Sequence, residues 1–295
     1  MRLPARLERR NALFQQWQAL LTNRTKRTRT GEMIVHGVRP ITQAIAHGHE
    51  IRALLSDGRL EQSRWARELL QDPPAPVVEV ASELMAELGQ RDDGPPELLA
   101  IAAVPADDLG RLDAWLSGEG GARVRGSGTS TGTGTGTGLV VAFDRPTSPG
   151  NIGSLARSVD ALGGHVLVIT GRGADAWDPA AIRASTGSVF AVPVVRLDSH
   201  RDLLSWVEGR RGAVEPWQVV GLEEARGHEL ADTDLTVPTV LVVGNETIGL
   251  SAGWRESCDQ LAEIPMTGSA SSLNAAVAGS IALYEVARQR GLSGS

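Results

Sequence analysis

Three short polar stretches in the C-terminal half carry residue types that could hold and use a small polar cofactor. In one, an apolar segment ends at Ile264-Pro265-Met266, small polar residues run from Thr267 to Ser271, and Ser272-Leu273-Asn274 opens a long apolar helix over 275–290. A helix start offers unpaired backbone N–H groups, and here Ser272 adds a hydroxyl and Asn274 an amide. In another, Phe143-Asp144-Arg145-Pro146 leads to Asn151-Ile152-Gly153-Ser154-Leu155-Ala156-Arg157, with Asn151 where it can cap a helix. In the remaining one, Val243-Gly244-Asn245-Glu246-Thr247-Ile248-Gly249-Leu250-Ser251 sets a carboxylate, Glu246, just past a strand end. There it can orient Asn151, Arg157 or a ribose. Capping accounts for Ser272 or Asn274 singly but not for the whole constellation. Three turns of one character point to one composite site.

Alternating strands and helices must position these turns. The pattern predicts strands at 139–143, 165–169, 192–196, 219–221, 240–243 and 261–264, with helices at 151–162, 179–184 and 201–207 before the closing one. That is a mostly parallel α/β sheet spanning a domain over 139–295, with its ligand at the carboxyl ends of the strands. Residues 1–116 read as a separate small α/β sandwich. Its expected helices cover 6–22, 38–46, 62–70 and 83–88, its strands 33–35, 51–55, 77–80 and 98–104, and a polar basic loop runs over 22–30. Between the two, residues 117–138 are rich in Gly, Thr and Ser and read as a flexible linker. Its Gly-Thr repeat is no dinucleotide fingerprint, because it precedes a strand instead of following one.

The totals exclude several classes. With 295 residues, two domains are favoured, and 41% hydrophobic residues suffice to build cores. No apolar run reaches membrane-span length and the start lacks a signal-peptide core, which predicts a soluble, cytoplasmic protein. Cys258 is the one cysteine, so neither an internal disulfide nor a cysteine-based zinc site can form. The six histidines make no His-Glu-x-x-His pattern, and no metal is expected. Lys26 is the one lysine, set in Thr-Lys-Arg-Thr-Arg, which rules out a P-loop and a pyridoxal Schiff base. The net charge of −6 hides an asymmetry: residues 1–39 hold nine basic and two acidic side chains, net +7, leaving −13 for the remainder. A concentrated basic segment predicts nucleic-acid contact, and Arg24, Lys26, Arg27, Arg29 and Arg39 are the candidates for it.

The three turns, in this order and spacing, resemble the three motifs of the SpoU/TrmH branch of the SPOUT methyltransferases, which transfer a methyl group from S-adenosylmethionine to ribose 2′-hydroxyls in RNA. The resemblance covers residues 139–290 closely. The segment from Asn11 to Leu21, the Arg/Thr stretch after it, Asp144 to Gly150 and Gly268 to Ser272 are similar to the avilamycin-resistance ribose methyltransferases of actinomycetes. The Gly/Thr linker departs from that pattern. The resemblance implies a C-terminal domain ending in a trefoil knot, a small N-terminal α/β/α RNA-binding domain, a homodimer with each active site near its interface, and large-subunit ribosomal RNA as substrate, with antibiotic resistance as a role. Transfer RNA as target, a non-catalytic RNA-binding protein on the same fold, and a nucleotide enzyme that needs no RNA are the alternatives.

By the family motifs, Gly244, Ile264 and Leu273 contact the cofactor, largely through backbone groups, with Met266 in the same apolar lining. Arg157 is the catalytic residue the resemblance implies, with Asn151, Glu246, Ser272 and Asn274 beside it. A ribose hydroxyl is a weak nucleophile, so oxygen, methyl and sulfur must be aligned. An arginine stays protonated at ordinary pH and is a poor base. Arg157 is therefore expected to clamp an RNA phosphate or steady the developing alkoxide, while a phosphate oxygen or water takes the proton.

Overall fold

Caps decide where the N-terminal elements begin. The spacing predicts a helix from residue 6, but the computed structural model opens it at Ala12, because the Asn11 side chain accepts the Phe14 N–H at 3.0 Å. Arg6–Leu7 instead forms a short edge strand, β1. Helix α1 (Ala12–Thr22) buries Leu13, Phe14, Trp17, Leu20 and Leu21. The basic loop expected next is a helix, α2 (Arg24–Thr30). Asn23 caps it by accepting the Lys26 N–H, and Gly31 ends it with φ +62°, a left-handed turn that glycine takes without steric cost. Two good caps outweigh the absence of apolar periodicity. Then follow β2 (Glu32–His36), α3 (Val38–Ala46), β3 (Ile51–Ser56), α4 (Arg64–Gln71), β4 (Val77–Val80), α5 (Ser82–Gly89) and β5 (Leu98–Ala103). The sheet runs β1-β4-β3-β5-β2, with β5 antiparallel to both neighbours and the other pairs parallel. Helices α1 and α5 close one face over Val78, Leu55 and Leu99.

The described residues are 3–90, 94–116, 137–211, 216–224 and 227–291. The chain divides into two compact units, Met1–Pro105 with Trp177–Ala191, and Ala106–Ala176 with Val192–Ser295. The linker expected over 117–138 lies outside the described residues except for Thr137 and Gly138. The second unit begins before it, with α6 (Gly110–Leu116), whose Leu112 is buried in that unit's core.

Next come β6 (Leu139–Asp144), α7 (Pro149–Ala161), β7 (Val166–Thr170), α8 (Pro179–Ser185), α9 (Ser188–Ala191), β8 (Val194–Leu197) and α10 (His200–Arg211). The chain ends with β9 (Gln218–Leu222), β10 (His228–Glu229), β11 (Thr239–Val243), α11 (Ala252–Ser257), β12 (Gln260–Glu263) and α12 (Ala275–Gln289). Seven strands pair in the order β10-β12-β9-β11-β6-β7-β8, every ladder parallel. Strands β6, β7 and β11 are buried along their whole length, as strands covered on both faces must be. Strand β11 returns between β9 and β6, so the ends of β6 and β11 are neighbours. Helices α7 and α12 pack closely. A Cβ at Gly279 would stand 2.7 Å from Leu155, and the Ser158 and Ser280 hydroxyls bond at 2.7 Å.

Helices α8 and α9 leave the parallel sheet's unit and belong to the first one. Asp178 caps α8 and also pairs with the buried guanidinium of Arg27 at 3.0 Å. His49 bonds the Phe190 carbonyl at 3.1 Å and meets its ring edge-on.

Candidate active site

All three polar turns leave the carboxyl ends of strands in the second unit's parallel sheet, those of the neighbours β6 and β11 and that of β12, one strand beyond β11 across β9. Glu246, after β11, is their hub. Its carboxylate accepts the Thr147 and Ser148 N–H groups at 2.9 and 3.1 Å, the Thr147 hydroxyl at 3.0 Å and the Asn151 amide at 3.0 Å. Asn151 in turn accepts the Asn274 side-chain amide at 3.0 Å. Asn274 caps α12, its oxygen taking the Ala276 and Val277 N–H groups. One chain of hydrogen bonds thus links the turn after β11, the start of α7 and the start of α12. Burial works to raise the Glu246 carboxyl, but the hydrogen bonds from Asn151, Thr147 and Ser148 outweigh it and hold the group below the usual carboxylate range.

A second set of bonds fixes the base of the turns. The Asn245 amide donates to the Arg145 carbonyl at 2.6 Å, while its oxygen accepts the Thr247 and Ile248 N–H groups. Buried Asp144 pairs with Arg145 and accepts the Ser251 N–H at 2.8 Å. Arg145 sits at φ +48°, a left-handed conformation unusual for a residue with a Cβ. It turns the chain just before the amides that face Glu246.

Beside this network lies a cleft of about 490 Å³, a volume in the range of small-molecule sites. Gly244, Glu246, Ile264, Met266, Ser272 and Leu273 line it. A Cβ at Gly244 would stand 2.6 Å from the Gly249 carbonyl carbon, so no other residue lets the turn fold back this closely. Asn151 and Asn274 do not line it and belong to the hydrogen-bond chain. Arg157 is elsewhere: it is exposed on α7, six residues or about 9 Å along the axis from Asn151. It makes no hydrogen bond or ion pair among the described residues and does not line the cleft. Among the described residues, no group of three or more His, Cys, Asp or Glu side chains is placed to hold a metal ion.

In the first unit, Arg24, Arg29 and Arg39 are exposed and Lys26 is half-buried. Arg27 is a correction to the basic set. It is 2% exposed, donates to the Leu20 carbonyl at 2.7 Å and pairs with Asp178. Its helical phase turns it inward, and its charge is spent inside the protein.

Residues 11–100 match the SpoU L30e-like domain, and residues 138–284 match the SpoU rRNA Methylase family. The chain is 49% identical to a Streptomyces viridochromogenes 23S rRNA (uridine(2479)-2′-O)-methyltransferase over 98% of its length and 94% of the relative's. The chain belongs to the SpoU rRNA methylase family. Its fold superimposes on the crystal structure of the SpoU methyltransferase AviRb from S. viridochromogenes in complex with AdoMet, with a TM-score of 0.84 and 50% identity, covering 97% of this chain and 100% of that one. An AdoMet-bound rRNA methyltransferase from Sinorhizobium meliloti is similar at 26% identity and a TM-score of 0.77, covering 97% and 98%.

For a SpoU methylase, the motifs alone leave out part of the site. The segment Leu222-Glu223-Glu224 also lines the cleft. It spans the end of β9, whose place beside β11 and β12 no local pattern reveals. The motifs include Asn245, and the resemblance includes Thr147 and Ser148, but sequence reasoning gives none of the three a role. The signal available was their position between a strand end and a cap.

Proposed function

We propose that this protein transfers a methyl group from S-adenosylmethionine to a ribose 2′-hydroxyl of large-subunit ribosomal RNA, acting as a cytoplasmic homodimer. The carrying observation is the near full-length match to a 23S rRNA 2′-O-methyltransferase, joined to a cleft lined by the second and third family motifs, with the first tied to it through the Asn151 hydrogen bonds. The cleft fits the donor: it has the volume, an apolar wall from Ile264, Met266 and Leu273, carboxylates on its lining, and a backbone turn that folds back tightly because Gly244 has no side chain. When bound, the donor supplies an electrophilic methyl on a sulfonium. The chain supplies position. Glu246, Asn151 and Asn274 lock the two helix starts and the turn into one frame, and Ser272 presents a hydroxyl at the cleft. Arg157, exposed on α7 and outside the cleft lining, is read as meeting RNA and not the donor. Its role is then to hold a backbone phosphate so that the ribose oxygen lies in line with the methyl, and the hydroxyl proton passes to a phosphate oxygen or water.

Exposed Arg24, Arg29 and Arg39, with Lys26, are the phosphate contacts of the L30e-like unit. They position the RNA without reading its sequence. Val277, Ile281 and Tyr284 leave an apolar stripe exposed on α12 at i, i+4 and i+7, which supports a second copy packing there. The return of β11 between β9 and β6 supports the knotted path that the family implies.

The deciding experiment is a map of ribose methylation on ribosomal and transfer RNA from cells with and without the protein, beginning at the uridine for which the Streptomyces relative is named. A new 2′-O-methyl on large-subunit RNA, with reduced avilamycin sensitivity, is the expected result. Methylation confined to transfer RNA would overturn the substrate assignment. In a purified assay, Arg157→Lys should keep partial activity and Arg157→Ala should lose it; full activity in Arg157→Ala removes the clamp.

A further inference from the structure

Two of the three carboxylates on the cleft wall lie outside the family motifs. The lining carries three carboxylates, Glu223, Glu224 and Glu246, and, among the described residues, no Lys, Arg or His. Two of the three are compensated within the protein. Glu246 accepts four hydrogen bonds from the turn after β6 and the start of α7. Glu223 takes both arms of Arg255, at 2.7 and 2.9 Å. Glu224 is exposed and has no hydrogen bond or ion pair among the described residues. Its backbone is not adrift. The preceding residue is tied to β12 by a Glu223 N–H bond to the Ala262 carbonyl at 3.0 Å, and the Glu223 carboxylate reaches to 3.7 Å from where a Gly249 Cβ would be. Glu224 therefore lines the same cleft as the Gly244–Gly249 turn, just past the carboxyl end of a parallel strand, where ligands of such sheets bind.

Donor and product of a methyl transfer share the nucleoside and the amino-acid tail. They differ at sulfur. Once the S–CH₃ bond has broken and the methyl is on the ribose oxygen, the sulfonium charge is gone and a neutral thioether remains. A carboxylate at this wall acts on that difference, whereas hydrogen bonds to the shared parts do not.

We infer that Glu224 is a specificity-determining residue whose carboxylate makes the cleft hold the cationic donor more tightly than the neutral product, so that spent cofactor exchanges readily. This rests on the donor assignment made above.

Titration calorimetry on the full chain, without RNA, tests it with S-adenosylmethionine and S-adenosylhomocysteine. Coulomb attraction over several ångströms in a partly solvated cleft predicts that Glu224→Gln weakens donor binding about three- to tenfold and changes product binding by less than about twofold. Glu224→Lys should shift the ratio further the same way. Raising salt from about 0.05 to 0.5 M should shrink the donor-to-product preference of the wild type and leave that of Glu224→Gln nearly flat. Equal weakening of both compounds would overturn the inference, because the residue would then grip a part they share. So would unchanged binding of both in both variants. Wild-type protein that binds neither compound would overturn the donor assignment, and this inference with it.

Discussion

Glu246 is a residue whose value lies in being an acceptor on every side. Replacing it with Gln keeps the shape but turns a donor toward the Thr147, Ser148 or Asn151 donors. Leaving a partly buried donor unmatched costs roughly 1–3 kcal/mol, so Glu246→Gln should lower the melting temperature and weaken donor binding in calorimetry. The pH dependence has a definite sign. A carboxyl held below its ordinary range contributes stability that is fully present above the unfolded value and is lost as pH falls through the folded one. The network should thus be intact at neutral pH and fail only in acid. The difference in denaturant stability between wild type and Glu246→Gln should be constant from about pH 6 to 8 and close below about pH 4. A gap that stays open in acid would show that the carboxylate is not what the frame depends on.

At the scale of elements, the site is a set of strand ends and helix starts held at fixed spacing. Helix α12 begins where it does because Asn274 caps it, and the same side chain ties it to α7 through Asn151. The turn after β11 depends on Gly244. In Gly244→Ala the new methyl would meet backbone at 2.6 Å, and backbone cannot swing aside as a flexible side chain would. The turn must move off, which deforms the cleft wall. The expected outcome is a fall in donor affinity of about tenfold or more, the scale set by about 1.5 kcal/mol of misplacement, while melting stays cooperative. Unchanged affinity in that variant would show that the turn does not shape the donor site.

At the scale of the whole molecule, charge and assembly matter. Removing the charges of Arg24, Lys26, Arg29 and Arg39 together should cut the slope of log affinity against log salt for RNA by about three, as expected for roughly four lost phosphate contacts. Arg27→Ala should leave that slope alone and instead destabilise the fold by about 3 kcal/mol, because it strands Asp178 beside an emptied buried site. If Arg27→Ala flattens the slope as much as its exposed neighbours do, the inward placement of its charge is not what governs RNA binding. The apolar stripe on α12 makes a separate prediction. Ile281→Lys with Tyr284→Glu should turn a dimer into a monomer in sedimentation, and a dimer that survives both changes must use another face.

Sequence alone determined what depends on neighbours in the chain. Most strands and helices were legible from periodicity and strand-end turns, and the three motif turns from their order and spacing, because capping groups and apolar spacing act over a few residues. The same local rules, read without the caps at Asn11 and Asn23, misplaced the start of α1 and took α2 for a loop. Only the tertiary structure decided which side chains meet. Strand β11 returns between β9 and β6, and that non-local order sets Glu246 against Asn151 and brings Glu224 to the cleft. A partner 151 positions away, Asp178, holds the buried Arg27 and removed it from the basic surface. Pairing across such separations is fixed by packing of the folded chain, and no short window of residues contains it.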